Sequence, residues 1–182
     1  MDPLESLLTK PSVSAEINVY FPVEYFSENS GNLNLTKDSF DNFIPKCLEK
    51  FGKYDKTSEI YYCKNEKVYK TINKKNVHIF KLDTTETLNL KTFIVVRSEY
   101  IKITNEEFPK LEYYDDIRKQ NKMIFNAGIG RLILITQSHT DAECSYFVEL
   151  SFDPLKKMTN EDKTQFKSLI DLFFYQAGKQ NP

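Results

Sequence analysis

Charged residues fall at intervals in stretches whose residue pattern is that of β-strands: Glu16, Arg97, Glu99, Arg118, Lys122, Arg131 and Glu149. A charge projecting from a strand into a closed sheet leaves water, so it must meet an opposite charge, a trapped water or a charged ligand. Carboxylates on one wall with Arg and Lys on the others suit a divalent cation together with a polyphosphate. The carboxylates face the metal and the cations face phosphate oxygens. The same residues also describe an ordinary sheet with a solvated polar face, whose surface ion pairs contribute about 1 kcal/mol or less each. Spacing by itself favours the solvated sheet.

Other chemistries have less material. The sequence contains no GxxxxGK[ST] loop, no GxGxxG after a strand, no HExxH and no GxSxG. Its two histidines, His78 in a strand and His139 in a polar loop, read as structural or solvated. The lysine-rich span 64–81, with Tyr61, Tyr62, Tyr69 and Phe80 in or beside it, fits single-stranded nucleic acid binding, but a meander with solvated lysines is the simpler account. The formal net charge is −1, so any polyanion site must be local. Cys47, Cys63 and Cys144 form no CxxC pair and read as reduced thiols of an intracellular protein, cytoplasmic or nuclear. No apolar run approaches the roughly 18 residues of a membrane span, and the N-terminus MDPLESLLTKPSVS lacks the pattern of a secretory signal. No membrane partner is expected.

The elements that would position the charges follow from periodicity. In Asp116–Phe152, alternation puts Arg118, Gln120 and Lys122 on one side of a strand. Asn126–Gly130 supplies a turn, and Arg131–Gln137 reads as a buried central strand. After a loop over Ser138–Ser145, the strand Tyr146–Phe152 sets Glu149 and Ser151 on one face. Upstream, Glu16–Phe21 (EINVYF) is the first strand. A helix capped by Asn34 or Thr36 carries Phe40, Phe43, Ile44, Cys47, Leu48 and Phe51 on one stripe, ends at Gly52, and should kink or split at Pro45. Strands are expected at Glu59–Cys63, Val68–Ile72, Val77–Leu82 and Lys91–Ile103, the last bulged or broken near Ser98. A closing helix over about Asn160–Gln176 is capped by Asn160. With 182 residues and 40% hydrophobic content, this is most simply one α+β domain dominated by an antiparallel sheet.

The order of these features resembles the triphosphate tunnel metalloenzyme family, specifically the mRNA-capping RNA 5′-triphosphatases of fungi, protozoa and large DNA viruses. That family has an early strand ExExxF; here it is EINVYF. Late in the family come an Arg/Lys-alternating strand ending in an aromatic, a short turn, and a strand like R-I-D-[IL]-T. Here these are RKQNKMIF (Arg118–Phe125), NAGIG and RLILIT (Arg131–Thr136). A loop, the strand YFVELSF (Tyr146–Phe152) and a C-terminal helix complete the series. The departures are Asn18 for a second glutamate, Ile133 for an aspartate, Gln120 for a basic residue, and Phe147 and Ser151 for the glutamates beside Glu149.

The resemblance implies an eight-stranded, tunnel-like antiparallel β-barrel with flanking helices, spanning 1–182 or forming a piece of a longer capping enzyme. It implies a metal-dependent hydrolase that removes the terminal phosphate of 5′-triphosphate RNA in mRNA capping. Glu16 and Glu149 would hold Mg²⁺ or Mn²⁺, and Glu149 is also the candidate water-activating carboxylate. Arg97, Arg118, Lys122 and Arg131 would bind the phosphates. Expected partners are 5′-triphosphate RNA or a nucleoside triphosphate, and a guanylyltransferase or another capping or transcription subunit. The alternative is a catalytically inactive tunnel-fold subunit serving as a binding or assembly partner in such a complex.

Overall fold

The computed structural model describes residues 3, 6–7, 10, 15–20, 35–64, 67–72, 76–90, 93–102, 114–139, 144–152 and 159–178, with backbone alone at 15–16, 19–20, 64, 67–72, 76–85, 87–90, 93–96, 100–102 and 170–178. The elements in chain order are β1 (Ala15–Tyr20), α1 (Lys37–Phe51), β2 (Asp55–Lys64), β3 (Lys67–Ile72), β4 (Asn76–Leu90), β5 (Phe93–Lys102), β6 (Asp116–Asn126), β7 (Gly130–His139), β8 (Ser145–Phe152) and α2 (Asn160–Gly178). The strands make a curled antiparallel sheet, hydrogen-bonded in the order β1-β5-β4-β3-β2-β6-β7-β8. β1 is paired on both sides: Asn18 lies opposite Val96 of β5 and Ser151 of β8. The α+β architecture, a curled antiparallel sheet with helices against it, agrees with the pattern in the sequence.

Alternation sorts the strands into two faces. One face packs under the helices and carries Ile17, Phe125, Leu132, Leu134, Val148, Leu150 and Phe152, all buried and joined in one cluster with Phe40 and Cys47 of α1 and Phe166 and Leu169 of α2. Aromatic pairs bind the layers: Phe40 to Tyr146 at 5.1 Å and Phe152 to Phe166 at 5.1 Å between ring centroids. We call the opposite face inner; it carries Glu59, Tyr61, Gln120, Lys122, Ile133, Ile135, Gln137 and Glu149. In β7 both alternating sets, Leu132–Ile135, are buried, as a strand covered on both faces requires.

Local chemistry fixes the joints. Thr36 caps α1, its Oγ1 accepting from the Ser39 N–H at 3.2 Å. Gly52 closes the helix at φ 78°, donating to the Leu48 carbonyl at 2.9 Å. At the β6–β7 turn, a Cβ on Gly130 would stand 2.5 Å from the Ser151 carbonyl oxygen, so only glycine allows β7 and β8 to approach there.

Several expectations are corrected. α1 is not split at Pro45 but runs through it as one helix; that residue is exposed, so solvent can satisfy the carbonyl its missing N–H leaves unpaired. The irregularity expected near Ser98 lies in the neighbouring strand, between Leu82 and Thr84 of β4. β2 begins earlier and β4 runs further than the patterns suggested, because Thr57, Thr84, Thr85 and Thr87 satisfy strand geometry without apolar alternation. His139 ends β7 and is not in a loop. α2 is capped by Thr159, one residue before Asn160: Thr159 and Asp162 exchange side-chain to backbone bonds of 2.7 and 3.1 Å. Most of the helical turn expected in 1–13, the loop 27–34 and most of the connector 105–114 lie outside the described residues. So do Phe21 of the expected first strand and residues 140–143 of the expected Ser138–Ser145 loop.

Candidate functional site

The inner face of β6 meets β2 on one side and β7 on the other, and two polar groups are built there. The first centres on Lys122. Its Nζ lies 2.7 Å from Glu59 Oε2 and donates to Tyr61 Oη at 2.9 Å, with the Tyr61 ring centroid 5.4 Å away. Tyr61 in turn donates to Glu59. The pair is enclosed, with side-chain exposures of 12% for Lys122 and 8% for Glu59. Across the ladder, Thr57 pairs with Lys122, and its buried Oγ1 makes no hydrogen bond among the described residues. Glu59 and Tyr61 were not singled out as site residues from sequence. Their positions two apart on a strand paired with β6 were the available signal.

The second group is a row of hydrogen bonds. Gln120 Nε2 donates to Gln137 Oε1 at 2.6 Å, Gln137 Nε2 meets His139 Nε2 at 3.0 Å, and His139 Nδ1 meets Asp116 Oδ1 at 3.2 Å. Arg118 Nε donates to the other oxygen of Asp116. Partial burial raises the Asp116 carboxyl, but the hydrogen bond and charge of Arg118, followed by those of His139, outweigh it and hold the group below its usual value. Cys63, opposite Asp116 in the ladder, has its thiol pushed up by burial, with Arg118 acting the other way.

Glu149 stands in a different setting. In the amide orientation that satisfies both Asn18 side-chain atoms, Asn18 Nδ2 donates to Glu149 Oε1 at 3.1 Å and to the Ile17 carbonyl at 3.0 Å. Directly across β7 from Glu149 is Ile133, 5% exposed, and the next inner-face pair is Ile135 with Phe147. The register places Glu149 opposite Tyr20 of β1. Glu16 is four residues from Tyr20, roughly 13 Å along an extended strand. Asn18, rather than Glu16, is thus the neighbour of Glu149. Among the described residues, no three His, Cys, Asp or Glu side chains converge. Among the described side chains, Glu149 meets the Asn18 amide where paired glutamates would place a second carboxylate, with isoleucine and phenylalanine on its flanks, a poor match to a divalent cation gripped by two glutamates.

The expected phosphate-binding residues are spread out. Lys122 is central. Arg118 is exposed toward one end of β6, and exposed Arg131 pairs with Asn126 at the other end, eight residues or roughly 27 Å further along. Arg97 is corrected to the helix-side face, because it pairs with Ile17 and not with the residues that flank Asn18 on the inner face. It is 1% exposed, donates to Glu99 Oε1 at 2.9 Å and reaches the Leu7 carbonyl at 3.4 Å.

No family profile matches the sequence, and no curated relative matches it. Solved structures do match the fold. The S. pombe Pct1 RNA triphosphatase superposes with a TM-score of 0.69 at 11% identity, covering 95% of this chain and 88% of that one. The chain has the fold of an RNA triphosphatase. The RNA triphosphatase domain of a trifunctional mimivirus mRNA capping enzyme matches with a TM-score of 0.66 at 11% identity, over 96% of this chain and 95% of that one. Pct1 RNA triphosphatase in complex with the Spt5 CTD gives 0.61 at 11% identity, over 96% and 89%. Within this shared fold, the inner face described above is the candidate site.

Proposed function

We propose that the chain is a divergent RNA 5′-triphosphatase of mRNA capping, its 182 residues folding as one tunnel-like barrel of eight strands. The observation that carries this reading is the charged inner face of β6, where Arg118 pairs with Asp116 and Lys122 with Glu59, in a chain matched over nearly its full length to RNA triphosphatase folds. The pairing of β1 with both β5 and β8 supports a closed tunnel. Lys122, central on the inner face, would bind the phosphates of a 5′-triphosphate RNA end, or of a nucleoside triphosphate, and offset charge developing on the transferred group, while Arg118 and Arg131 would each meet phosphate oxygens nearer one end of β6. Glu149, oriented by Asn18, would accept the proton of the attacking water. The water oxygen bonds to the terminal phosphorus, its bond to the bridging oxygen breaks, and a 5′-diphosphate end and inorganic phosphate leave. Mg²⁺ or Mn²⁺, if used, would take most of its shell from water and substrate oxygens.

Incubation with γ-labelled triphosphate RNA and Mn²⁺ tests the proposal. Phosphate release lost in Glu149→Ala and in Lys122→Ala supports it; no release, or release indifferent to both substitutions, removes it.

A second reading is a tunnel-fold subunit without turnover, binding a guanylyltransferase or another capping or transcription component. The apolar flanks of Glu149, Ile133 and Phe147, favour it. It expects a stable protein partner in pull-downs and no metal-dependent phosphate release from the same RNA. A similar fold, that of Pct1, is seen with the Spt5 CTD.

A further inference from the structure

Among the described side chains, Lys122 is the most enclosed cation of the inner face, and it is already neutralised. Glu59 supplies a carboxylate oxygen at 2.7 Å, and the Tyr61 hydroxyl accepts from the lysine while donating to that carboxylate. Breaking an enclosed pair leaves a charge without compensation, so this arrangement holds itself closed unless another anion is offered. Thr57 Oγ1 is a hydroxyl with donor capacity to spare, buried on the same face at the ladder position opposite Lys122. Lys122 and the Thr57 hydroxyl, facing positions of one ladder with no bond to Thr57 Oγ1 among the described residues, are the donors a subsite for an anionic oxygen can draw on. At present, the oxygen nearest the lysine belongs to Glu59.

We propose that Glu59 is a resident counter-anion that competes with a polyphosphate ligand for Lys122, so that it sets how strongly the inner face binds phosphate. The proposal rests on the phosphate-binding reading of this face and concerns binding alone. When a polyphosphate oxygen takes the lysine, Glu59 keeps its bond from Tyr61 and Thr57 gains an acceptor. Neutralising Glu59 removes the competitor and leaves the lysine in place. Glu59→Gln does this with little change of shape, and its amide oxygen still accepts from Tyr61.

The experiment is calorimetric titration with inorganic tripolyphosphate in EDTA, which separates binding from turnover. Glu59→Gln is expected to bind at least about tenfold more tightly than the wild type, the scale of removing one charge at close range. Glu59→Gln/Lys122→Met is expected to lose that gain. Wild-type binding with no gain in Glu59→Gln overturns the counter-anion role and leaves the phosphate face intact. Binding by neither protein overturns the phosphate face itself. A measurement on the wild type covers the case of an unstable variant: the side-chain carboxyl ¹³C resonance of Glu59 is expected to move on saturation with tripolyphosphate. An unmoved resonance at saturation overturns the proposal.

Discussion

Gln120 Nε2 donates to Gln137 Oε1 at 2.6 Å, and this bond sets the direction of every hydrogen bond beyond it. With its oxygen occupied, Gln137 turns its amide N–H toward His139 Nε2, which must accept. The ring proton is therefore on Nδ1, aimed at Asp116. Nitrogen-15 spectra of the imidazole at neutral pH are expected to show the Nδ1–H tautomer. Gln137→Leu should free that choice and lower stability by about 1–2 kcal/mol, since Gln120 and His139 each lose a partner.

Asp116 gives the row a pH dependence. Its carboxyl lies below the usual value when folded, so across the interval between folded and unfolded pKa values the unfolded chain binds more protons. Stability from this group is thus present above the unfolded value, about pH 4, and is lost as the pH falls through the folded one. Urea midpoints measured from pH 6 to pH 2 should show the wild type converging on Asp116→Asn at the acid end. A constant gap between the two curves would contradict this.

The amide beside Glu149 marks where a cation seat could be rebuilt. Asn18→Glu would put a second carboxylate within reach of Glu149 in place of the 3.1 Å amide contact. Mn²⁺ affinity, followed by electron paramagnetic resonance, is expected to rise by roughly tenfold or more with that added ligand charge. Glu149→Ala in the same background should remove the gain.

Arg97 separates structural from phosphate-binding charge. Arg97→Met should cost about 2–3 kcal/mol in denaturant unfolding, less than for a fully enclosed pair because Glu99 keeps 28% of its side chain exposed. Adding Glu99→Leu should recover most of that loss. Tripolyphosphate binding should be the same in all these proteins, since Arg97 lies on the helix-side face.

Gly52 offers a clean backbone test. It sits at φ 78° and ψ −132°, and a Cβ there would meet nothing within 4 Å. Gly52→Ala is expected to lower stability by about 1–2 kcal/mol from backbone strain alone. The thermal midpoint reads that loss directly.

The legible parts of this chain were those where one periodicity dominates. Leu132 and Leu134 against Phe40 and Cys47, or Phe166 and Leu169 against Phe152, follow from alternation on a strand and a stripe on a helix. Arg118 and Lys122 were correctly placed on one side of β6 for the same reason. The misreadings came where a residue's face depends on pairing register, which a single strand does not encode. Arg97 and Glu149 look alike as strand charges, but opposition to Ile17 sends one beneath the helix-side core and opposition to Tyr20 keeps the other inside. Glu59 escaped notice because its partner, Lys122, is 63 residues away in sequence. Thr159 lost its capping role to Asn160 in the sequence reading because both are good caps, and the reciprocal contact with Asp162 decides between them.

The pairing of β1 with β8 also governs how the chain can reach this state. Asn18 and Ser151 become ladder partners although some 130 residues separate them. Local hairpins such as β2–β3 and β6–β7 can form early, whereas this seam must await a large loop closure. Until then, β1 and β8 each present unpaired backbone along one side, the condition under which strands capture strands from other molecules. Refolding should therefore be slow and should lose yield as protein concentration rises, with the last protection from hydrogen exchange appearing at Ile17–Tyr20 and Glu149–Phe152.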